Sequence, residues 1–220
     1  MNKPEITKRL KLVLVILYLV GIAGFSMQWS YSLFANLTPL NLLLTFAMLL
    51  LAHEGWDLKT VLVLSSVAFI GFVAELIGVH TQWLFGHYWY GPTLGLKLLE
   101  TPILIGINWL VLSYGVYVLL APLNLGRLIP FAGALLMVLF DFVMEPVAVS
   151  LNMWQWAGEQ IPLKNYLDWY LISCLIFAVM YFLKVKLRNK LAVWILLIQF
   201  LFFLVLNFIL KPTAWESLLP

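Results

Sequence analysis

Seven apolar runs, near 10–28, 39–52, 60–79, 101–121, 128–150, 166–184 and 191–210, divide this chain, and short segments carrying charges, prolines, asparagines and glycines separate them. A helix that crosses a bilayer needs about 20 mostly apolar residues, so the pattern predicts seven spans, the second of them short. The runs lack the half-polar periodicity of a soluble amphipathic helix, as expected for helices bathed in lipid, and no strand is suggested anywhere. The expected fold class is therefore all-α, a polytopic membrane helix bundle of about seven transmembrane helices. Composition agrees, with 64% hydrophobic and 10% charged residues, against about 25% charged in soluble domains. Seven spans in 220 residues leave no room for a second domain, so 1–220 reads as a single integral membrane domain. The basic start and apolar stretch of residues 1–25 imitate a signal peptide. No small-residue cleavage site follows, and the segment reads as an uncleaved first helix.

Charge sets the expected orientation. Lys3, Lys8, Arg9, Lys11, Lys59, Arg127, Lys184, Lys186, Arg188 and Lys190 fall on one side, and Lys97, Lys164 and Lys211 on the other. Positive residues concentrate in the cytoplasm, which predicts a multi-pass protein of the cell membrane with a cytoplasmic N-terminus and an outside C-terminus. Nucleic-acid binding would need these cations on one polar face, whereas they are scattered at helix ends. The only cysteine, Cys174, lies within an apolar run and has no internal partner.

Three histidines are too few for the clustered ligands of membrane di-iron enzymes or for multi-haem axial pairs. His80 and His87, seven apart, would share one face of a helix yet lack a third ligand, and His53, Glu54 and Asp57 read as a solvated loop. No metal is therefore expected. Nor is there a Gly-rich phosphate loop or a dinucleotide fingerprint. Chemistry in such a chain must run on carboxylates, aromatics and water.

Two loops, 80–100 and 151–165, are longer than turns, fall on the same outer side, and are crowded with Trp and Tyr. Interfacial belts place such rings at both membrane faces, whereas these concentrate at one. Gly91 and Gly95 read as turn residues around Pro92.

Acids inside spans are the most informative residues, because a charge near mid-bilayer costs about 2.5–3.5 kcal/mol even on lenient scales. Glu75 lies about 15 residues into the third run, and Asp141 and Glu145 lie about 13 and 17 residues into the fifth, all in the outer half at 1.5 Å per residue. Asp141 and Glu145 are one turn apart on one face. Pro146 suggests a helix end and a structural role for Glu145, so Glu75 and Asp141 are the stronger candidates. No cation lies at their depth. A carboxyl without a counter-charge in such surroundings stays neutral, and a neutral carboxylic acid is a proton donor. Asn108 and Trp109, at similar depth in the fourth run, are further candidates, Asn108 to position a water.

The run Glu75-Leu-Ile-Gly78-Val-His-Thr81-Gln-Trp83-Leu-Phe85-Gly86-His-Tyr88-Trp89-Tyr90, with Leu94-Gly95, Pro102 and Trp109, resembles the membrane carotenoid biosynthesis protein family. Asp141, Glu145-Pro-Val-Ala148, Trp154-Gln-Trp156, Ile161-Pro162, Asn165 and Trp169 continue the likeness in the same order, so that it covers about 70–170 as a catalytic core. Gln82, where Gly commonly follows the Thr, and Glu100-Thr101 before Pro102 depart from the family pattern, at positions expected to shape the pocket mouth.

The resemblance implies hydration of the terminal C1–C2 double bond of an acyclic carotenoid end, giving a tertiary 1-hydroxy carotenoid. Such a reaction needs a proton on C2, a tertiary cation at C1 and a water to capture it. Glu75 or Asp141 would supply the proton, and a second carboxylate, assisted by Asn108, would activate the water. The rings of Trp83, Tyr88, Trp89, Trp109, Trp154 or Trp156 would stabilise the cation, and Thr81, Phe85, Tyr90, Asn165 and Trp169 complete the expected substrate contacts. The implied partners are a carotenoid held within the bilayer and other carotenoid-pathway enzymes, with no cofactor. A membrane lycopene cyclase, which protonates the same end but excludes water, is the nearest rival. A non-catalytic transporter is the other, while a retinal receptor would need a Schiff-base lysine that 191–210 lacks.

Overall fold

The computed structural model describes residues 3–158 and 160–212. Among the described residues six helices are long and apolar enough to cross a membrane: α1 (Lys3–Ser26), α4 (Leu58–Thr81), α5 (Ile103–Leu120), α6 (Ile129–Ser150), α7 (Leu163–Phe182) and α8 (Ala192–Leu210). Between α1 and α4 lie the short α2 (Tyr31–Asn36) and the 15-residue apolar α3 (Thr38–Ala52). The all-α membrane bundle expected from the apolar runs is the fold observed.

Although short, α3 runs between the two ends of the bundle. At its start Pro39 packs beside Gly95. At its finish the Leu49 carbonyl accepts a hydrogen bond from Asn189 Nδ2 at 2.8 Å, and Glu54 pairs with Arg188. That second end also carries Lys11 over the Trp194 ring, so the starts of α1 and α8 and the finish of α3 share one basic end. The loops after α4 and α6 share the other, aromatic end.

Two short sheets occupy the aromatic end, contrary to the expectation of no strands. Strand β1 (Tyr88–Tyr90) pairs antiparallel with β4 (Trp154–Trp156), opposing Tyr88 to Trp156 and Tyr90 to Trp154. Strands β2 (Lys97–Leu98) and β3 (Thr101–Pro102) form a hairpin, whose turn residues Leu99 and Glu100 both have positive φ. The sheets escape a reading based on hydropathy because each strand is two or three residues long. Period-2 alternation nevertheless governs them: Tyr88, Tyr90, Trp154 and Trp156 turn inward and are buried, whereas Trp89 points away and is half exposed.

Helix α4 packs on α5 through small residues. A Cβ on Gly71 would stand 2.5 Å from that of Trp109, and one on Gly106 would stand 2.6 Å from the Ala68 carbonyl. Membrane helices gain no hydrophobic drive from lipid, so such close approach supplies much of the contact energy. Gly133 gives α6 the same access to Phe177 of α7. These two pairs bring the faces bearing Glu75, Trp109, Glu145 and Asn165 together at the aromatic end.

At the basic end one expectation changes. His53 is buried rather than solvated: its Nδ1 hydrogen-bonds the Tyr114 hydroxyl, and its ring lies 4.1 Å from that of Trp56. Asp57 does sit at the surface, where its carboxylate caps α4 by accepting from Thr60 N at 2.6 Å. This hydrogen bond holds the Asp57 carboxyl below its ordinary range. The C-terminal tail beyond residue 212, expected on the outer side, lies outside the described residues.

Candidate active site

Glu75 sits on α4 between Gly71 and Gly78, four residues before and three after it on the same helix face. Both glycines make room for its partners. Gly71 admits Trp109, whose Nε1 donates to Glu75 Oε1 at 3.0 Å. A Cβ on Gly78 would stand 2.8 Å from the Tyr88 hydroxyl. The Tyr88 and Tyr90 hydroxyls donate to Glu75 Oε2 at 2.6 and 2.7 Å. Burial, followed by the neighbouring Glu75 carboxyl, pushes both phenols well above the ordinary tyrosine value, so they serve as neutral donors.

Glu145 stands opposite on α6. Trp154 and Trp156 of β4 donate their indole N–H groups to its Oε2 at 3.0 and 3.1 Å. An indole only donates, so Oε2 accepts twice, and any proton on Glu145 belongs on Oε1, which accepts once. Asn165 Nδ2 donates to that oxygen at 3.3 Å and to Asp141 Oδ2 at 2.8 Å. One amide of α7 therefore bridges the two acids of α6. Asp141 is fully buried, and its Oδ1 has no hydrogen-bond partner among the described residues. Pro146 lies inside α6 rather than at its end, which removes the reason for giving Glu145 a helix-terminal role.

Glu75 and Glu145 line one small cavity of about 20 Å³, with Phe85, Tyr88, Tyr90, Ile105, Trp154, Trp156, Asn165 and Trp169. A water needs about 10–15 Å³ of such space, so the cavity admits one. Trp169 stacks on Trp109 with ring centroids 4.1 Å apart, closing the wall behind Glu75. Aromatic rings and two carboxyls thus surround a site the size of one water.

Other expected residues lie elsewhere. Asn108 lines a separate, larger cavity. One residue along a helix turns a side chain by about 100°, so Trp109 and Asn108 cannot face the same site. Thr81 is exposed and bonds the Ile77 carbonyl, and Trp83 is 79% exposed. His80 is on α4 but His87 follows it in the loop, so the two do not share a helix face. Gln82 closes α4 in the left-handed conformation that favours glycine, and Glu100 sits in the β2–β3 turn. Neither lines either cavity.

A model of the carotenoid biosynthesis protein family matches residues 37–218. The chain belongs to this family. It is also 30% identical over 124 residues to the bisanhydrobacterioruberin hydratase of Haloarcula japonica, a match covering 52% of this chain and 42% of that relative. The chain thus spans less than half the length of the curated relative it matches. No solved structure matches it. In this carotenoid biosynthesis protein, α1 lies outside the matched segment, whereas both carboxyl-bearing helices and both aromatic strands lie within it.

Asp168 was missed from the sequence. Its Oδ2 accepts the Phe85 N–H and the Lys164 ammonium, each at 2.6 Å. The bond pins the loop that carries Phe85 into the cavity. Its signal was the Lys164–Asp168 spacing, one helical turn at the start of α7.

Proposed function

We propose that this protein hydrates the terminal C1–C2 double bond of an acyclic carotenoid end, with Glu145 as proton donor and Glu75 as the base that activates water. The observation that carries the reading is the one-water cavity between two buried carboxyls, walled by aromatic rings. Asp141 and Glu145, bridged by a single amide, resist ionising together, so the pair retains a proton. Glu145 delivers it to C2, and the π electrons form the new C–H bond. The tertiary cation left at C1 is stabilised by the faces of Trp154, Trp156 and Tyr88. Water adds its oxygen to C1 and passes a proton to Glu75, and return of that proton to Glu145 resets the site. Asp141 and Asn165 position Glu145, and the two tyrosines and Trp109 position Glu75. The chemistry calls for no redox step and no cofactor.

Family membership supports a carotenoid as substrate, and the relative's name supports hydration. Turnover in ¹⁸O-labelled water tests the reading directly. The product should gain one labelled hydroxyl, with and without O₂ and in the presence of chelator. A cyclised product of unchanged mass, or an oxygen derived from O₂, would overturn it.

A further inference from the structure

The larger cavity, of about 240 Å³, lies among α1, α3, α5, α6 and α8 and shares Ile105 and Trp154 with the carboxyl cavity. Its walls are mostly apolar, with Leu17, Phe25, Met144 and Phe202 among them. Val20 of α1 and Leu40 and Leu44 of α3 line it while remaining 51%, 51% and 43% exposed, so it opens sideways between these two helices, on a face that a bilayer would cover. One part of the wall is polar. Tyr18 hydrogen-bonds Thr45 at 3.3 Å and engages the side-chain amides of Asn41 and Gln199. Gln199 is only 3% exposed, and Asn41 Oδ1 and Gln199 Oε1 are buried without a partner among the described residues.

Two amides and a phenol from three helices, brought to one cavity deep in an apolar bundle, cost desolvation that leucine and phenylalanine would not. A hydrocarbon chain would leave that cost uncompensated. The unpartnered amide oxygens recover it by accepting from a hydroxyl on the ligand.

We propose that the larger cavity holds the isoprenoid chain next to the reacting end, admitted from the bilayer between α1 and α3, and that Tyr18, Asn41 and Gln199 recognise a hydroxyl on that chain. The cavity suits that chain because Ile105 and Trp154 form a wall common to it and the carboxyl site, so a chain held there lies directly beside the reacting end. The proposal rests on the carotenoid reading but not on hydration, so its test uses binding rather than turnover.

The full chain is expressed in a host whose membranes contain both acyclic carotenoid hydrocarbons and derivatives hydroxylated near one end. The pigments retained on the purified protein are then compared with those of the membrane. Oxygenated pigment should be enriched about fivefold or more, the scale of one net hydrogen bond. Gln199→Leu and Asn41→Leu should abolish the enrichment, and Leu17→Trp, which fills the cavity, should abolish retention. Tyr18→Phe and Gln199→Met preserve shape and should reduce enrichment even where a leucine variant fails to accumulate. Equal retention of both pigments by the wild type, enrichment unchanged in all the polar variants, or recovery of phospholipid alone would overturn the proposal. Loss of hydration with selective binding intact would count against the proposed reaction and leave this assignment standing.

Discussion

Glu145 and Glu75 differ from the other acids in facing both a water-sized space and aromatic rings. Replacing either by glutamine keeps its size but removes its capacity to give or to take a proton. Turnover of Glu145→Gln and Glu75→Gln should therefore fall about 10²–10⁴-fold, the usual worth of general acid–base catalysis. Pigment retained on the purified protein shows that each variant still folds and binds. Asp141→Asn should lose less, because Asp141 acts through Asn165 and does not line the cavity. It should also move the alkaline limb of the pH–rate profile, where the donor loses its proton, since Asp141 then no longer resists the ionisation of Glu145. A larger loss for Asp141→Asn than for Glu145→Gln would make Asp141 the donor. Trp83→Phe should cost no more than a few-fold, since that ring lies 79% exposed outside the cavity. The sequence exposed these acids because charge inside an apolar run is conspicuous. It did not separate Asn108 from Trp109, because in a membrane helix lipid and core are both apolar and hydropathy carries little record of which face turns inward. The Gly71–Glu75–Gly78 spacing did carry that record.

Strands β1 and β4 convert two aromatic loops into one wall, and Gly91 is where their backbones meet. Gly91 N donates to the Met153 carbonyl at 2.9 Å, and a Cβ on Gly91 would collide with the Asn152 carbonyl, a backbone group that cannot swing aside. Gly91→Ala should therefore disrupt the pairing that presents Tyr90 and Trp154, lowering both the thermal midpoint in detergent and turnover. A midpoint and turnover equal to the wild type would show that the loops dock without this contact. Asp168→Ala should act on the neighbouring loop by leaving the buried Phe85 amide without its acceptor, at a cost of about 1–3 kcal/mol, measurable by thermal unfolding. At this scale legibility was uneven. The helices were readable because bilayer thickness sets their length, and α3 was recognised as a short run. The strands were not readable, because Tyr-Trp-Tyr is aromatic at every position and alternation shows only once one ring faces out.

Across the whole molecule, the basic and aromatic ends lie opposite one another, and α3 joins them with about 22 Å of helix at 1.5 Å per residue. A hydrocarbon core of about 30 Å is thicker than that, so α3 crosses only where the bilayer thins or flanking residues reach out to the interface. Its passage decides the parity of the chain. With α3 crossing, seven passes put the basic end in the cytoplasm and residue 210 outside, in accord with the positive-inside bias. A periplasm-dependent phosphatase fused after Leu210 should then be active, and one fused at Gly55, in the turn after α3, should be silent. Activity at Gly55 and silence at Leu210 would invert the molecule and place the two carboxyls near the cytoplasmic face. The predicted orientation instead places the carboxyls toward the outer face, while the larger cavity opens sideways between α1 and α3. A long polyene can then remain in the bilayer while its end reaches the water-sized site.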